Sequence, residues 1–191
     1  SNPGVKPALD PLVQIDFQDA AGNPSTASTG TSALGAVTIS GDAASVTGGP
    51  TGNGYTYTFD GSGDAIEWAE DSASSMDGIR SFTAGAWVNP TARASSGFSV
   101  ILSNWNGGRG FELGVNASGK LVANIRNIGV ITSNLTVPLN QWKYVAASYD
   151  FAGSTVKIHL GDGTTLQTQN KSVATNTTAD WNNVTRFIVG E

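Results

Sequence analysis

The sequence contains no cysteine. Disulfides, thiolate chemistry and cysteine metal sites are therefore excluded. Charge is also scarce. Only 13% of residues are charged, and the 10 Lys and Arg are scattered. Without a basic cluster, nucleic acid and anionic membrane surfaces are poor partners. No apolar run approaches the roughly 20 residues that a membrane-spanning helix needs. No signal peptide is visible either, and the opening SNPG fits a tag remnant or the cut left by a removed signal. Helical periodicity is nearly absent. The best candidate, AEDSASSMDG at 69–78, reads as a loop with one turn.

Glycine is abundant, with 24 residues, and Ser, Thr and Asn are plentiful. The net charge is -5 and the pI about 4.7. This profile fits a β protein with many turns and a neutral polar surface. The 191 residues are enough for one cored domain and too few for two. We read 1–191 as a single domain with an extended lead over residues 1–10. The lack of thiols leans towards an extracytoplasmic bacterial protein. Five Asn-x-Ser/Thr sequons, at Asn116, Asn134, Asn170, Asn176 and Asn183, are what chance supplies in this composition.

Short alternating runs dominate. LVQIDF opens the chain, and GNPSTASTGTSALG follows as a long loop. In YTYTFDG, Tyr55, Tyr57 and Phe59 face one way and Thr56 and Thr58 the other. SFTAGAWVNP comes next, then a meander of FSVILS, FELGV and KLVANIR. QWKYVAASYD pairs with TVKIHLGDG, and TRFIVGE ends the chain. Glycine-rich turns join many of these strands. Val156, Ile158 and Leu160 oppose Lys157 and His159. Phe111, Leu113 and Val115 oppose Glu112, and Leu121, Ala123 and Ile125 oppose Asn124 and Arg126. Each sheet should have one dry and one wet face, as in an all-β antiparallel sandwich.

FDGSGDAIEW, SFTAGAWVNP, ILSNWNGGRGFELGV and QWKYVAASYD occur in that order. Together they resemble the laminin G-like jelly-roll domains of the concanavalin A-like lectin/glucanase superfamily. The match is good from about residue 55 to about 160 and weaker before that. Such domains close with a strand of the kind Gly-x-Ile-Asp-x-Val-x-Ile-Tyr, which is not in this sequence. The resemblance thus implies a sandwich lacking its last strand here. The expected consequence is an open edge filled by another chain, a neighbouring copy or the N-terminal segment.

The superfamily includes glucanases, so paired carboxyls were sought. A retaining glycosidase needs two about 5–5.5 Å apart, and strand alternation supplies them as Glu-x-Asp-x-x-Glu. IEWAED comes nearest, but Glu67 and Glu70 fall on opposite faces of a strand, and Asp71 lies past its end. The single histidine, His159, sits on a polar strand face, and no Gly-x-Ser-x-Gly elbow exists. A lyase built from Tyr, His and Arg is a minor alternative. The expectation is a non-enzyme.

For calcium, FDGSGD offers Asp60 and Asp64, and QIDFQD offers Asp16 and Asp19. The resemblance implies a structural Ca2+, with Asp16 and the Gly61 carbonyl as ligands beside Asp60 and Asp64. The alternative makes the latter two turn residues with local hydrogen bonds.

A sugar site needs aromatic faces beside Asn, Arg or carboxylates. SNWNGGRGFELG groups Trp105 with Asn104, Asn106 and Arg109 on a hairpin loop. The alternative is simple hairpin closure by Gly107, Gly108 and Gly110. A second place is Trp87, sharing a face with Thr83, Gly85 and Asn89. If Glu112, Asn124 and Arg126 lie on the same sheet, they complete a polar groove. The alternative is a Trp87 covered by a loop. Trp142 is expected at a strand start, and Trp68 and Trp181 beside loops and open to solvent.

The sequence therefore points to a non-catalytic carbohydrate-binding module of a secreted or cell-surface bacterial protein. Its partner would be a polysaccharide or glycan. The rival is a structural or adhesive module that contacts a protein segment through an open sheet edge. A polysaccharide-acting enzyme is the third reading.

Overall fold

The computed structural model describes Val13, Ile15, Phe17 and residues 34–70, 78–174 and 184–190. Asp16, Asp19, Asp71 and Trp181 lie outside the described residues, as does most of the candidate turn at 69–78. The described residues form strands and turns, with no helix among them.

The strands are β1 (Val37–Ser40), β2 (Ala44–Thr47), β3 (Tyr55–Thr58), β4 (Ala65–Ala69) and β5 (Phe82–Val88). Then come β6 (Phe98–Ser103), β7 (Phe111–Asn116), β8 (Lys120–Ile125) and β9 (Gly129–Thr136). The last are β10 (Lys143–Asp150), β11 (Thr155–Gly161), β12 (Leu166–Ser172) and β13 (Arg186–Val189). A seven-stranded sheet runs β1-β4-β13-β6-β7-β8-β9, and a four-stranded sheet runs β12-β11-β10-β5. β2 and β3 form a separate ribbon. Every pairing is antiparallel.

The dry layer between the large sheets follows from the alternation. Phe82, Ala84, Ala86 and Val88 of β5 pack against the core, while Thr83, Gly85 and Trp87 are exposed. Val156, Ile158 and Leu160 of β11 meet Phe111, Leu113, Leu121 and Ile125 of the larger sheet in one cluster. The Phe82 and Phe111 rings, one from each sheet, lie 5.2 Å apart. Val13, Ile15 and Phe17 also pack on this core, with the Phe17 ring 5.2 Å from Tyr57.

Alternation does not mark every strand, and the exposed β12 is one it passes over. β1 and β2 are short and lie in the glycine-rich region, and β9 mixes exposed polar and apolar residues. β9 still has a place because β8 pairs along it, and Gln169 of β12 accepts the Asn134 N–H at 2.5 Å. Trp68 corrects another expectation. It sits in β4 between β1 and β13, and its side chain is fully buried. β13, the C-terminal described strand, is central to its sheet instead of peripheral.

Trp68→Ala should therefore cost about 3–5 kcal/mol of stability. Denaturant unfolding followed at one transition would show it. A loss under about 1 kcal/mol would mean that the site collapses around the gap or that Trp68 is not in the core.

Candidate functional site

The outer face of the larger sheet carries most of the polar candidates. The registers place Glu67, Ile188, Ser103, Glu112 and Asn124 in one row across β4, β13, β6, β7 and β8. Next to that row is the loop at 104–110. Asn104 is fully buried, and its Oδ1 accepts the Phe111 N–H at 2.8 Å. Its amide nitrogen has no partner among the described residues. Asn106 donates to Thr185 Oγ1 at 2.7 Å and pairs through its backbone with Arg109. The Trp105 N–H is held by Ser103 Oγ, and the Trp105 carbonyl accepts from Arg186 at 3.3 Å. Arg186 also pairs with Glu67 at 3.4 Å, and Asn124 donates to Glu112 at 2.6 Å.

The loop is first of all a hairpin closure. Gly107, Gly108 and Gly110 adopt positive φ, and a Cβ at Gly110 would stand 2.4 Å from Asn104 Oδ1. Trp105 is half-buried and Arg109 exposed. Arg126 reaches the same loop, with Nη1 3.9 Å from where a Gly108 Cβ would be. So Glu112, Asn124 and Arg126 join the Trp105 group. They do not join Trp87, which is on the other sheet and faces away on the opposite side of the sandwich. The groove expected from a shared sheet does not exist.

The outer face of the smaller sheet is built differently. One row crosses Trp87, Tyr144, Gly161 and Leu166. The next crosses Gly85, Ala146, His159 and Thr168, and the third Thr83, Ser148, Lys157 and Asn170. Trp87 is 40% exposed and Leu166 59%. The Trp87 and Tyr144 rings lie 5.8 Å apart at 59°. Among the described residues no loop buries Trp87, although its ring edge reaches towards Gly163 in the turn between β11 and β12. Tyr144 leans over Gly85, where a Cβ would meet its hydroxyl at 2.5 Å. Glycine at 85 thus makes room for the phenol. Tyr144 went unnoticed in sequence, although it alternates with the buried Val145 in QWKYVAASYD. His159 Nδ1 lies 2.8 Å from Thr168 Oγ1. Burial, then the Lys157 charge, lowers its pKa and favours the neutral ring.

A third group lies where the β1–β2 and β3–β4 turns meet. Carboxylate oxygens of Asp42, Asp60 and Asp64 all fall within 4.8 Å of one another. Asp64 is buried, and its two oxygens accept the N–H groups of Asp42 at 2.8 Å and Asp60 at 2.7 Å. Asp60 accepts the Ser62 N–H at 2.7 Å.

Residues 60–190 match the family model described as the concanavalin A-like lectin/glucanases superfamily. The chain belongs to that superfamily. No curated protein matches the sequence. Among solved structures, the botulinum neurotoxin serotype C1 binding domain is similar at TM-score 0.56 and 13% identity. That alignment covers 95% of this chain and 42% of the other, so the chain spans less than half of it. Lectin II from Ulex europaeus aligns at TM-score 0.44 and 10% identity, over 95% of this chain and 91% of its own. These likenesses concern the fold.

For this lectin-like domain, the acidic group is the place to test calcium. The donors are of the right kind, since three carboxylates offer hard oxygens. Asp60 and Asp64 are therefore turn residues and eligible ligands at once. Asp42, in the SGDA turn, joins them unforeseen, and Gly61 sits in the adjoining turn at positive φ. The Asp60 N–H, then the Asp42 groups, hold the Asp64 pKa low against the opposing effect of burial. The negative charges of Asp64, then Asp60, push Asp42 up.

A carboxyl whose pKa is lowered by folding stabilises fully above its unfolded value, and that gain is lost as pH falls through the folded value. Asp64→Asn should lower Tm by several degrees at pH 7. The gap to the parent chain should close as pH falls below about 4. Thermal melts across pH read this directly, and a gap independent of pH would contradict the bridging role.

Proposed function

We propose that this domain is a non-catalytic carbohydrate-binding module, with the Trp87–Tyr144 face of the smaller sheet as its sugar site. The observation that carries the reading is the exposed indole of Trp87 set against Tyr144 on the outer face of the smaller sheet. Aromatic faces suit the C–H surfaces of a sugar ring, and the hydroxyls of Thr83, Ser148 and Thr168 suit its polar edge. The rival face around Trp105 uses its polar groups internally, which favours the smaller sheet. Its four strands carry one carboxylate, Asp150, where a glycosidase needs two. The ligand we propose is a polysaccharide outside the cell, held by a secreted or surface protein.

An adhesive role remains the second reading. Among the described strands β5 lies at the edge of its sheet, and an edge can take an added strand from a protein segment.

We further propose a structural Ca2+ at Asp42, Asp60 and Asp64. Their crowding supports it, because a cation would relieve the repulsion that raises Asp42.

Trp87→Ala should weaken glycan binding about tenfold, the loss of roughly 1.4 kcal/mol, with little change in Tm. Trp105→Ala should lower Tm and spare the affinity of the folded fraction. A glycan array followed by calorimetry separates them, and the reverse pattern would move the site to the larger sheet. Calcium should raise Tm relative to EDTA. Asp42→Asn should raise Tm in EDTA and abolish the calcium response. A Tm indifferent to calcium would remove the ion from the account.

A further inference from the structure

We infer that Asp162 is a positioning residue for Trp87, its carboxylate fixing the β11–β12 turn that holds the indole ready for a sugar ring. The inference rests on the carbohydrate reading above. Trp87 stands on β5, at the edge of its sheet among the described strands, and is 40% exposed. A side chain in such a place has room to change rotamer, and ordering it on binding costs affinity. Two neighbours confine this one. Tyr144 is directly opposite on β10, with the ring centres 5.8 Å apart. The second is Gly163 of the turn, where a Cβ would stand 3.5 Å from Trp87 Cη2.

One side chain organises that turn. Asp162 Oδ1 accepts the N–H groups of Thr164 at 3.0 Å and Thr165 at 2.9 Å. It also accepts their hydroxyls, at 2.8 and 3.1 Å. The Asp162 N–H donates to the Thr165 carbonyl at 3.2 Å and closes the turn. The other carboxylate oxygen lies 3.7 Å from the Lys143 ammonium. Lys143 is opposite Val88, so this ion pair ties the turn to the strands that carry Trp87 and Tyr144. The Thr165 N–H, then the Thr164 hydroxyl and N–H, hold the Asp162 carboxyl well below the usual carboxylate range.

Two glycines let the turn reach the aromatic pair. Gly163 has φ +91, a conformation that other residues adopt only under strain. Gly161 is opposite Tyr144, and a Cβ there would stand 3.1 Å from the Thr165 carbonyl oxygen and 3.8 Å from Tyr144 Cβ. The turn therefore rests against the sheet beside Tyr144 and meets the indole edge with Gly163. Asp162, Thr164 and Thr165 are all exposed, so the bonds among them hold no core residue. What they hold still is the turn, and with it one flank of the ring.

The test follows the indole first, without ligand. NMR relaxation of the Trp87 Nε1–H signal, assigned by its loss in Trp87→Ala, reads ring order on the ps–ns scale. Asp162→Ala should take its order parameter from the rigid range, about 0.85, towards the flexible one, below about 0.6. Asp162→Asn keeps an acceptor oxygen for the turn and should leave the signal as in the parent. A turn with a structural role alone would lower Tm and leave the indole unchanged. Calorimetry with cellohexaose, xylohexaose and mannohexaose then reads affinity. For a sugar that binds, Asp162→Ala should weaken binding about threefold, and Asp162→Asn should spare it. In a Trp87→Ala background, Asp162→Ala should change the affinity no further. An indole equally ordered in the parent and in Asp162→Ala, or an affinity loss that persists in full without Trp87, overturns the inference and leaves the sugar site standing. Absence of binding to all three sugars, with no binder on a wider glycan array, overturns both.

Discussion

The dry layer between the two large sheets is the constraint on which the rest of the structure depends. Each strand contributes every second side chain to it, and a slip of one residue would turn that set to water. Phe82 and Phe111 meet across the layer, with Val156, Ile158, Leu113 and Leu121 beside them. Once these positions are fixed, the opposite positions are fixed as well. Trp87 faces outwards because Ala86 and Val88 face inwards. The candidate site is thus a by-product of the register that builds the core.

The two outer faces then diverge. On the larger sheet, Asn124 is bonded to Glu112 and Arg186 to Glu67, while Asn106 donates to Thr185 and the Asn104 carbonyl oxygen accepts from Phe111. A ligand there would have to compete with bonds already made. On the smaller sheet, aromatic and polar side chains stand on strands of 7 or 8 residues, and small residues keep the surface low. A binding face needs groups that are positioned but unspent, and rigid strands position them at little entropic cost. Polar content alone points to the larger sheet.

Much of the fold was legible because alternation marks buried strands. β5, β7, β8, β10 and β11 each show it, and their dry faces follow from sequence. β1 and β2 are mostly exposed, so neither shows a dry face for alternation to mark. β9 lies at a sheet edge, where one side need not be dry. Trp68 misleads because acidic loop residues follow it, while pairing with β1 and β13 buries it. The site was legible in part. Alternation placed Trp87 on a wet face, but it could not say which sheet held Glu112, Asn124 and Arg126. That is a matter of strand order, which depends on contacts distant in sequence. Asp42 was hidden for the same reason, since 22 positions separate it from Asp64, whose carboxylate accepts its N–H.

The central claim is that the Trp87–Tyr144 face of the smaller sheet receives the glycan. The most direct measurement is an amide and indole NMR titration with a glycan that binds. The account predicts that the Trp87 indole signal and outward residues of β5, β10 and β11 shift together, while Trp105 and its loop stay still. Shifts centred on Trp105, Arg109 and Arg126, with Trp87 unmoved, would contradict it.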